Sequence, residues 1–275
     1  MPAYESLDVV VNDLRLHYLA DGAGPPVLLL HGWPTSSFLW RDTLAPIART
    51  NRVIALDLPG FGRSDKPDAS YSFRFYERII EGFLDALGLD SIGLAVHDLG
   101  GPIGLYWALR NQSRVSKLAL LNTLVYPEVS WAVAAFVGAS YAPGLASYLV
   151  SPAGLELAMK IGITDASRIT PELLRGVQNP FRSKEARAAL LKTAHSLHPG
   201  GMKEVAERLP SFSGPVKIIY GGRDRILPDV AKTMKKVARD LPQAETVCFE
   251  NAGHFLQEER GPEIGELLGA FFAEA

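Results

Sequence analysis

The sequence predicts an α/β fold: a mostly parallel central sheet, helices on both faces, and an inserted helical lid. Three observations predict it. Short apolar β-like runs alternate with longer helical patterns, the signature of strand–helix–strand units. The alternation stops near Leu124 and resumes after Pro210, leaving a long stretch with helical or irregular patterning and no clear strand. Polar residues of catalytic type directly follow four of the strand-like runs, at the carboxyl ends where open α/β sheets build their sites. The core is therefore assigned to residues 1–123 and 211–275, and the cap to residues 124–210.

The elements follow in order. Leu7–Val11 and Leu14–Leu19 form an antiparallel pair around an Asn12-Asp13 turn. Val27–Leu30 is a buried strand that ends in the loop His31-Gly32-Trp33-Pro34. Phe38–Ala48 is a helix, Arg52–Leu56 a strand, and Asp57–Ser64 a glycine-rich loop. Phe73–Leu87 is an amphipathic helix. Ile92–Val96 is a strand, Val96-His97-Asp98-Leu99-Gly100-Gly101 a sharp turn, and Pro102–Leu109 the helix after it. Leu118–Leu121 completes this half of the sheet. Beyond the insertion, Val216–Tyr220 and Glu245–Phe249 are strands, and a last helix runs from near Pro262 to Ala273. Val129–Val150 is apolar but interrupted by Gly138, Pro143 and Gly144, so it is assigned as a buried or pocket-lining segment.

Composition narrows the function. The chain has 275 residues, a net charge of -2 and 47% hydrophobic residues. That allows a large core and gives no reason to expect nucleic acid or an anionic membrane. One cysteine, Cys248, excludes an internal disulfide and fits a reducing compartment. Residues Met1–Val10 lack a basic start and an apolar core, so no signal peptide is read, and the expected location is the cytoplasm. Lys232, Lys235, Lys236 and Arg239 recur at helical spacing, as on a solvated helix face. No metal-ligand spacing is found, and no cofactor is expected. Gly60-Phe61-Gly62 lacks the third glycine of a dinucleotide loop.

Asp98, Asp224 and His254 are the candidate catalytic residues, each placed just after a strand. A carboxylate on the sharp turn needs no base to activate it, and its useful electrophile is a saturated carbon. Asp224 follows Tyr220-Gly221-Gly222-Arg223, and His254 lies in Glu250-Asn251-Ala252-Gly253-His254-Phe255. The order Asp, Asp, His matches nucleophile, acid and histidine in a triad whose nucleophile is usually serine. These motifs resemble the α/β-hydrolase superfamily over nearly the whole chain. Within it, the chain is similar to the branch of epoxide hydrolases and haloalkane dehalogenases, which use an aspartate nucleophile. His31-Gly32-Trp33-Pro34 is similar to epoxide hydrolases. Thr35–Arg41, Asp57 through Lys66-Pro67, and His254–Glu259 look more like dehalogenases.

The resemblance implies an α/β-hydrolase fold and two displacements. Asp98 would form an alkyl ester, and water deprotonated by His254 would cleave it. Asp224 would orient the imidazole, and the backbone N–H groups of Trp33 and Leu99 would form the oxyanion hole. The leaving group divides the branches. Dehalogenases usually carry a tryptophan directly after the nucleophile; here Leu99 has no side-chain donor, and Trp33 could offer one indole N–H. An epoxide needs a proton donor, and the insertion supplies Tyr126, Tyr141, Tyr148, His195 and His198, although the usual tyrosine pair is not reproduced. An epoxide is favoured because Leu99 stands at an unambiguous position. Haloalkane dehalogenase is the alternative, and a receptor that binds without turnover is the alternative of another class. The expected partners are a small apolar organic substrate and water, with no nucleic acid and no membrane; a homodimer is compatible with the sequence.

Simpler roles are open for several of these residues. Asp224 could only cap the helix that follows it. Glu128 is a rival acid that Asp224 makes unnecessary. His97 is expected to support the turn, His17 to lie on a strand surface, and Trp107 to be core. His195, His198 and the lid tyrosines are more often packing or surface residues than acids.

Overall fold

The structure is a computed structural model that describes residues 4–195 and 199–273. It opens with the hairpin of β1 (Glu5–Val11) and β2 (Leu14–Asp21). The turn residues Asn12 and Asp13 have φ of 49° and 64°, a backbone that two-residue hairpins require and that Asn and Asp tolerate. Next come β3 (Pro26–Leu30), α1 (Arg41–Ile47) and β4 (Arg52–Leu56). The predicted helix over Phe38–Ala48 is in two pieces, a 3-10 turn at Ser37–Trp40 and α1. Then follow α2 (Phe73–Ala86), β5 (Ile92–Asp98), α3 (Gly100–Ala108) and β6 (Val115–Thr123).

After β6 the described residues form helices and turns until the sheet resumes. These helices are α4 (Trp131–Tyr141), α5 (Pro143–Leu149), α6 (Pro152–Gly162), α7 (Pro171–Gln178), α8 (Lys184–Ala194) and α9 (Pro199–Arg208). Their starts are written locally. Ser130, Ser151, Thr170 and Ser183 each accept a backbone N–H at an N-cap, and proline occupies the first position of α5, α6 and α7. β7 (Val216–Gly221), α10 (Val230–Asp240), β8 (Ala244–Phe249) and α11 (Leu256–Ala273) complete the chain.

The strands form one eight-stranded sheet in the order β1-β2-β4-β3-β5-β6-β7-β8. The first two pairings are antiparallel and the rest parallel. All seven residues of β5 are buried, so helices cover both of its faces. The chain leaves β3 toward β4 and then returns to place β5 on the other side of β3. The reversal opens a crevice at the carboxyl ends of β3 and β5. Among the described residues, no single helix is long and apolar enough to cross a membrane.

Three expectations are corrected. His17 is not a surface residue: β2 pairs on both sides, and the loop after β4 folds over it. Its Nδ1 lies 2.7 Å from Asp57 Oδ2 and its Nε2 lies 2.9 Å from Ser6 Oγ. The last helical stretch starts six residues earlier than expected, because a separate first turn joins it at a kink at Arg260, two residues before Pro262. Val129–Val150 lines the pocket but is buried only in part, since Trp131, Tyr141, Leu145 and Tyr148 are exposed.

Candidate active site

Asp98 ends β5 with φ of 50°, a left-handed conformation that costs a non-glycine residue roughly 1 kcal/mol or more. Its surroundings hold it there. Thr123 Oγ1 donates to the Asp98 carbonyl at 2.7 Å, from the end of the neighbouring β6. Gly32 allows the closest approach: a Cβ at that position would collide with the Asp98 side chain. The Trp33 N–H donates to Asp98 Oδ1 at 2.7 Å, and the Leu99 N–H also bonds the carboxylate. Burial alone would raise the Asp98 pKa. The neighbouring His254 imidazole, whose charge favours the carboxylate, and the Leu99 amide hold it below the usual carboxylate value.

His254 follows β8 and is wholly buried. Its N–H donates to the Gly162 carbonyl at 2.7 Å, which ties the loop to the end of α6. Nδ1 lies 2.8 Å from Asp224 Oδ2, and Nε2 lies 3.5 Å from Asp98 Oδ2 with no direct hydrogen-bond partner among the described residues. Burial disfavours the charged imidazole, but the Asp224 charge and hydrogen bond, followed by Asp98, outweigh it and push its pKa up to about 10.

Asp224 is a partner of the imidazole and does not cap the following helix α10, whose N-cap position is Asp229; it closes the turn before it. Its Oδ1 accepts the Ile226 and Leu227 N–H groups at 2.8 and 2.7 Å, while Oδ2 faces His254. Burial would raise this carboxyl, and the His254 charge leads the contacts that lower it instead. Asn122, at φ of 33° near the end of β6, completes the group. Its Nδ2 donates to Asp224 Oδ2 at 2.7 Å and to the Gly253 carbonyl at 3.2 Å, and its Oδ1 accepts the Gly221 N–H at 2.9 Å. It therefore links the strands and loops that carry Asp98, Asp224 and His254. Sequence reading missed it; the available signal was a polar residue at a strand's carboxyl end. His97 supports the site through Nε2, 3.0 Å from the His254 carbonyl. Burial, the largest influence, and the His254 charge lower its pKa to about 4, so it is neutral at pH 7.

The pocket over Asp98 has a volume of about 380 Å³ and mostly apolar walls. Among the described residues, Tyr148 is the one proposed lid proton donor that lines it. Tyr126 instead donates to Asp240 Oδ2 at 2.6 Å, under the Lys236 ammonium. Tyr141 stacks on His195 at 4.0 Å between ring centres, and His195 Nε2 lies 2.8 Å from Ser140 Oγ. Their own elements turn these groups away: Tyr126 toward α10, and Tyr141 and His195 toward each other. His198 lies outside the described residues. Trp33 lines the pocket, yet its indole N–H donates to the Leu190 carbonyl of α8 at 3.2 Å. Leu99 lines the pocket with an aliphatic side chain. Glu128 is exposed and pairs with Lys236 at 3.5 Å. Arg225, which sequence reading did not single out, also lines the pocket and donates to the Ile163 carbonyl at 2.9 Å.

Similar proteins share this arrangement of chain. The family described as alpha/beta hydrolase fold matches residues 25–261. A haloalkane dehalogenase of Mycolicibacterium paratuberculosis is 34% identical, over 95% of this chain and 90% of its own. A soluble epoxide hydrolase of Corynebacterium sp. is 26% identical, over 96% of each chain. The crystal structure of a haloalkane dehalogenase from Agrobacterium tumefaciens C58 superposes with a TM-score of 0.82 at 26% identity, covering 98% of this chain and 96% of that one. Dehalogenase names recur among the relatives at 29–34% identity, and they do not favour an epoxide over a halide. On the family match and these relatives, the chain belongs to the α/β-hydrolase family and is a hydrolase.

Proposed function

We propose that this hydrolase opens epoxides to vicinal diols through an ester on Asp98. Asp98 Oδ1 is held by the Trp33 amide, so Oδ2 is the oxygen left to attack the carbon. The ring C–O bond breaks as the ester bond forms, and the alkoxide takes a proton from the Tyr148 hydroxyl. Water then attacks the ester carbonyl carbon and gives its proton to His254 Nε2. The Trp33 and Leu99 amides hold the oxyanion until the diol leaves and the Asp98 carboxylate re-forms. Once the ester has removed the Asp98 charge, His254 gives up its resting proton through water to the Tyr148 phenolate before it takes the one from the attacking water, and the second proton of that water goes to the departing alkoxide.

The charge balance at His254 gives the order of events a physical basis. With Asp98 ionised, two carboxylates favour a protonated imidazole. Forming the ester removes the Asp98 charge and leaves only Asp224, so the imidazole pKa falls when the base is needed.

The epoxide assignment rests on one observation: the Trp33 indole N–H is committed to the Leu190 carbonyl. With Leu99 beside Asp98, neither neighbouring side chain offers a donor to a departing halide. Haloalkane dehalogenase is the second reading, and the names of the relatives favour it. The two are separated by product analysis on matched panels of aliphatic epoxides and 1-haloalkanes. Diol without halide release supports the epoxide; halide release exceeding diol formation overturns it in favour of the second reading. Binding without either product supports a receptor.

A further inference from the structure

Among the described residues, every exposed large apolar side chain except Val10 falls between Val129 and Ile161. Trp131 is 77% exposed, Tyr141 66% and Leu145 55%. No charged residue occurs from Val129 through Leu155. Leu145 and Tyr148 are three apart on α5, and Leu157 and Ile161 four apart on α6, so each pair shares a helix face. Trp131, Tyr148, Leu157 and Ile161 also line the pocket over Asp98. The apolar surface is thus continuous with the pocket wall. Soluble surfaces rarely leave such a patch without a partner.

We propose that this face docks on a phospholipid bilayer with zwitterionic headgroups and draws apolar substrate from it into the pocket. The α4 and α5 axes bend by 112°, so the pair forms no single straight span. Trp131 and Tyr141 combine apolar rings with polar tips, the side chains that settle at headgroup level. Charge at the rim is largely cancelled. Lys160 pairs with Glu156 at 2.6 Å and Lys236 with Glu128 at 3.5 Å; Arg225 makes no ion pair among the described residues. A nearly neutral rim suits zwitterionic lipid. A second copy of the chain fits less well. It would seat on residues that form the pocket wall. The proposal departs from the sequence-based expectation of no membrane, and it holds whichever bond Asp98 attacks.

Vesicle flotation tests it. The wild type should float with phosphatidylcholine vesicles, with little change on adding phosphatidylglycerol or salt. The double variant Tyr141→Glu, Leu145→Glu should lose at least tenfold in bound fraction, Val10→Glu should not, and all three should keep their turnover of a dissolved short substrate. Brominated phosphatidylcholine should quench wild-type fluorescence, and Trp131→Phe should remove that quenching; this decides the matter even if the double variant misfolds. No flotation, flotation only with phosphatidylglycerol at low salt, equal flotation of the double variant, or a stable dimer broken by Leu145→Glu in place of lipid binding would each overturn the proposal.

Discussion

Trp33 gives its indole N–H to the Leu190 carbonyl, 3.2 Å away on a helix between β6 and β7. The bond fastens the loop after β3 to that helix and takes a donor from the pocket. Trp33→Phe should therefore cost about 1 kcal/mol of stability while leaving epoxide turnover within roughly threefold. Leu99→Trp, which places an indole beside Asp98, should raise halide release from 1-haloalkanes relative to diol formation. Denaturant melts and product ratios measure the two effects. A loss of epoxide turnover of a hundredfold in Trp33→Phe would contradict the assigned role.

His254 and Asp98 predict a pH signature. The folded-state imidazole pKa is raised from 6.5 to about 10. Its contribution to stability is therefore complete below about pH 6.5 and is lost as pH rises through about 10. In Asp98→Asn one carboxylate is gone, so the loss should move to lower pH. Imidazole titration by NMR in both proteins measures the difference directly. An unchanged His254 titration in Asp98→Asn would show that Asp98 does not share in holding the proton.

Asn122 is predicted to be a positioning residue. Asn122→Ala removes the donor to Asp224 and leaves the Gly221 N–H and Gly253 carbonyl short of a partner. The expected cost is about 1–3 kcal/mol of stability, with kcat down about tenfold and KM unchanged. A steeper or shifted kcat–pH profile distinguishes positioning through the Asp224–His254 pair from general weakening, which would leave the profile in place.

Much of this site was legible because strands announce themselves. The apolar runs Val27–Leu30, Ile92–Val96 and Val216–Tyr220 stop where polar residues begin, and those ends meet at the crevice. Asp98, Asp224 and His254 could therefore be named from position alone, and the structure brings them within hydrogen-bonding or ion-pair distance. Side-chain direction was not legible. The aromatic residues of the inserted region are alike in sequence, yet Tyr148 lines the pocket, Tyr126 turns to Asp240, and Tyr141 stacks outside on His195. His17 looked like half of an alternating strand pattern; only the return of the β4 loop buries it. Packing between segments distant in the chain decides such matters, and no local pattern encodes it.

That same His17 contact predicts acid behaviour. Burial would raise the Asp57 pKa, but the His17 hydrogen bond and charge, with the Arg63 amide, lower it from 3.8 to about 2. The Ser37 N–H also donates to Asp57, at 2.6 Å. The stability this supplies is present above about pH 4 and is lost as pH falls through about 2, amounting to about 2 kcal/mol. Asp57→Asn should be less stable at pH 7 and lack this acid-dependent loss. Urea melts at several values between pH 5 and pH 2 measure the difference; parallel profiles would contradict the assignment.

The central claim is that Asp98 takes the substrate's carbon and His254 drives its release. The most direct measurement is the intact mass of His254→Gln after incubation with an aliphatic epoxide, with peptide mapping of the modified residue. The account predicts a stable adduct equal in mass to the whole epoxide, placed on Asp98, and absent from the wild type at steady state. Failure to form that adduct with an epoxide that the wild type converts to diol would contradict it.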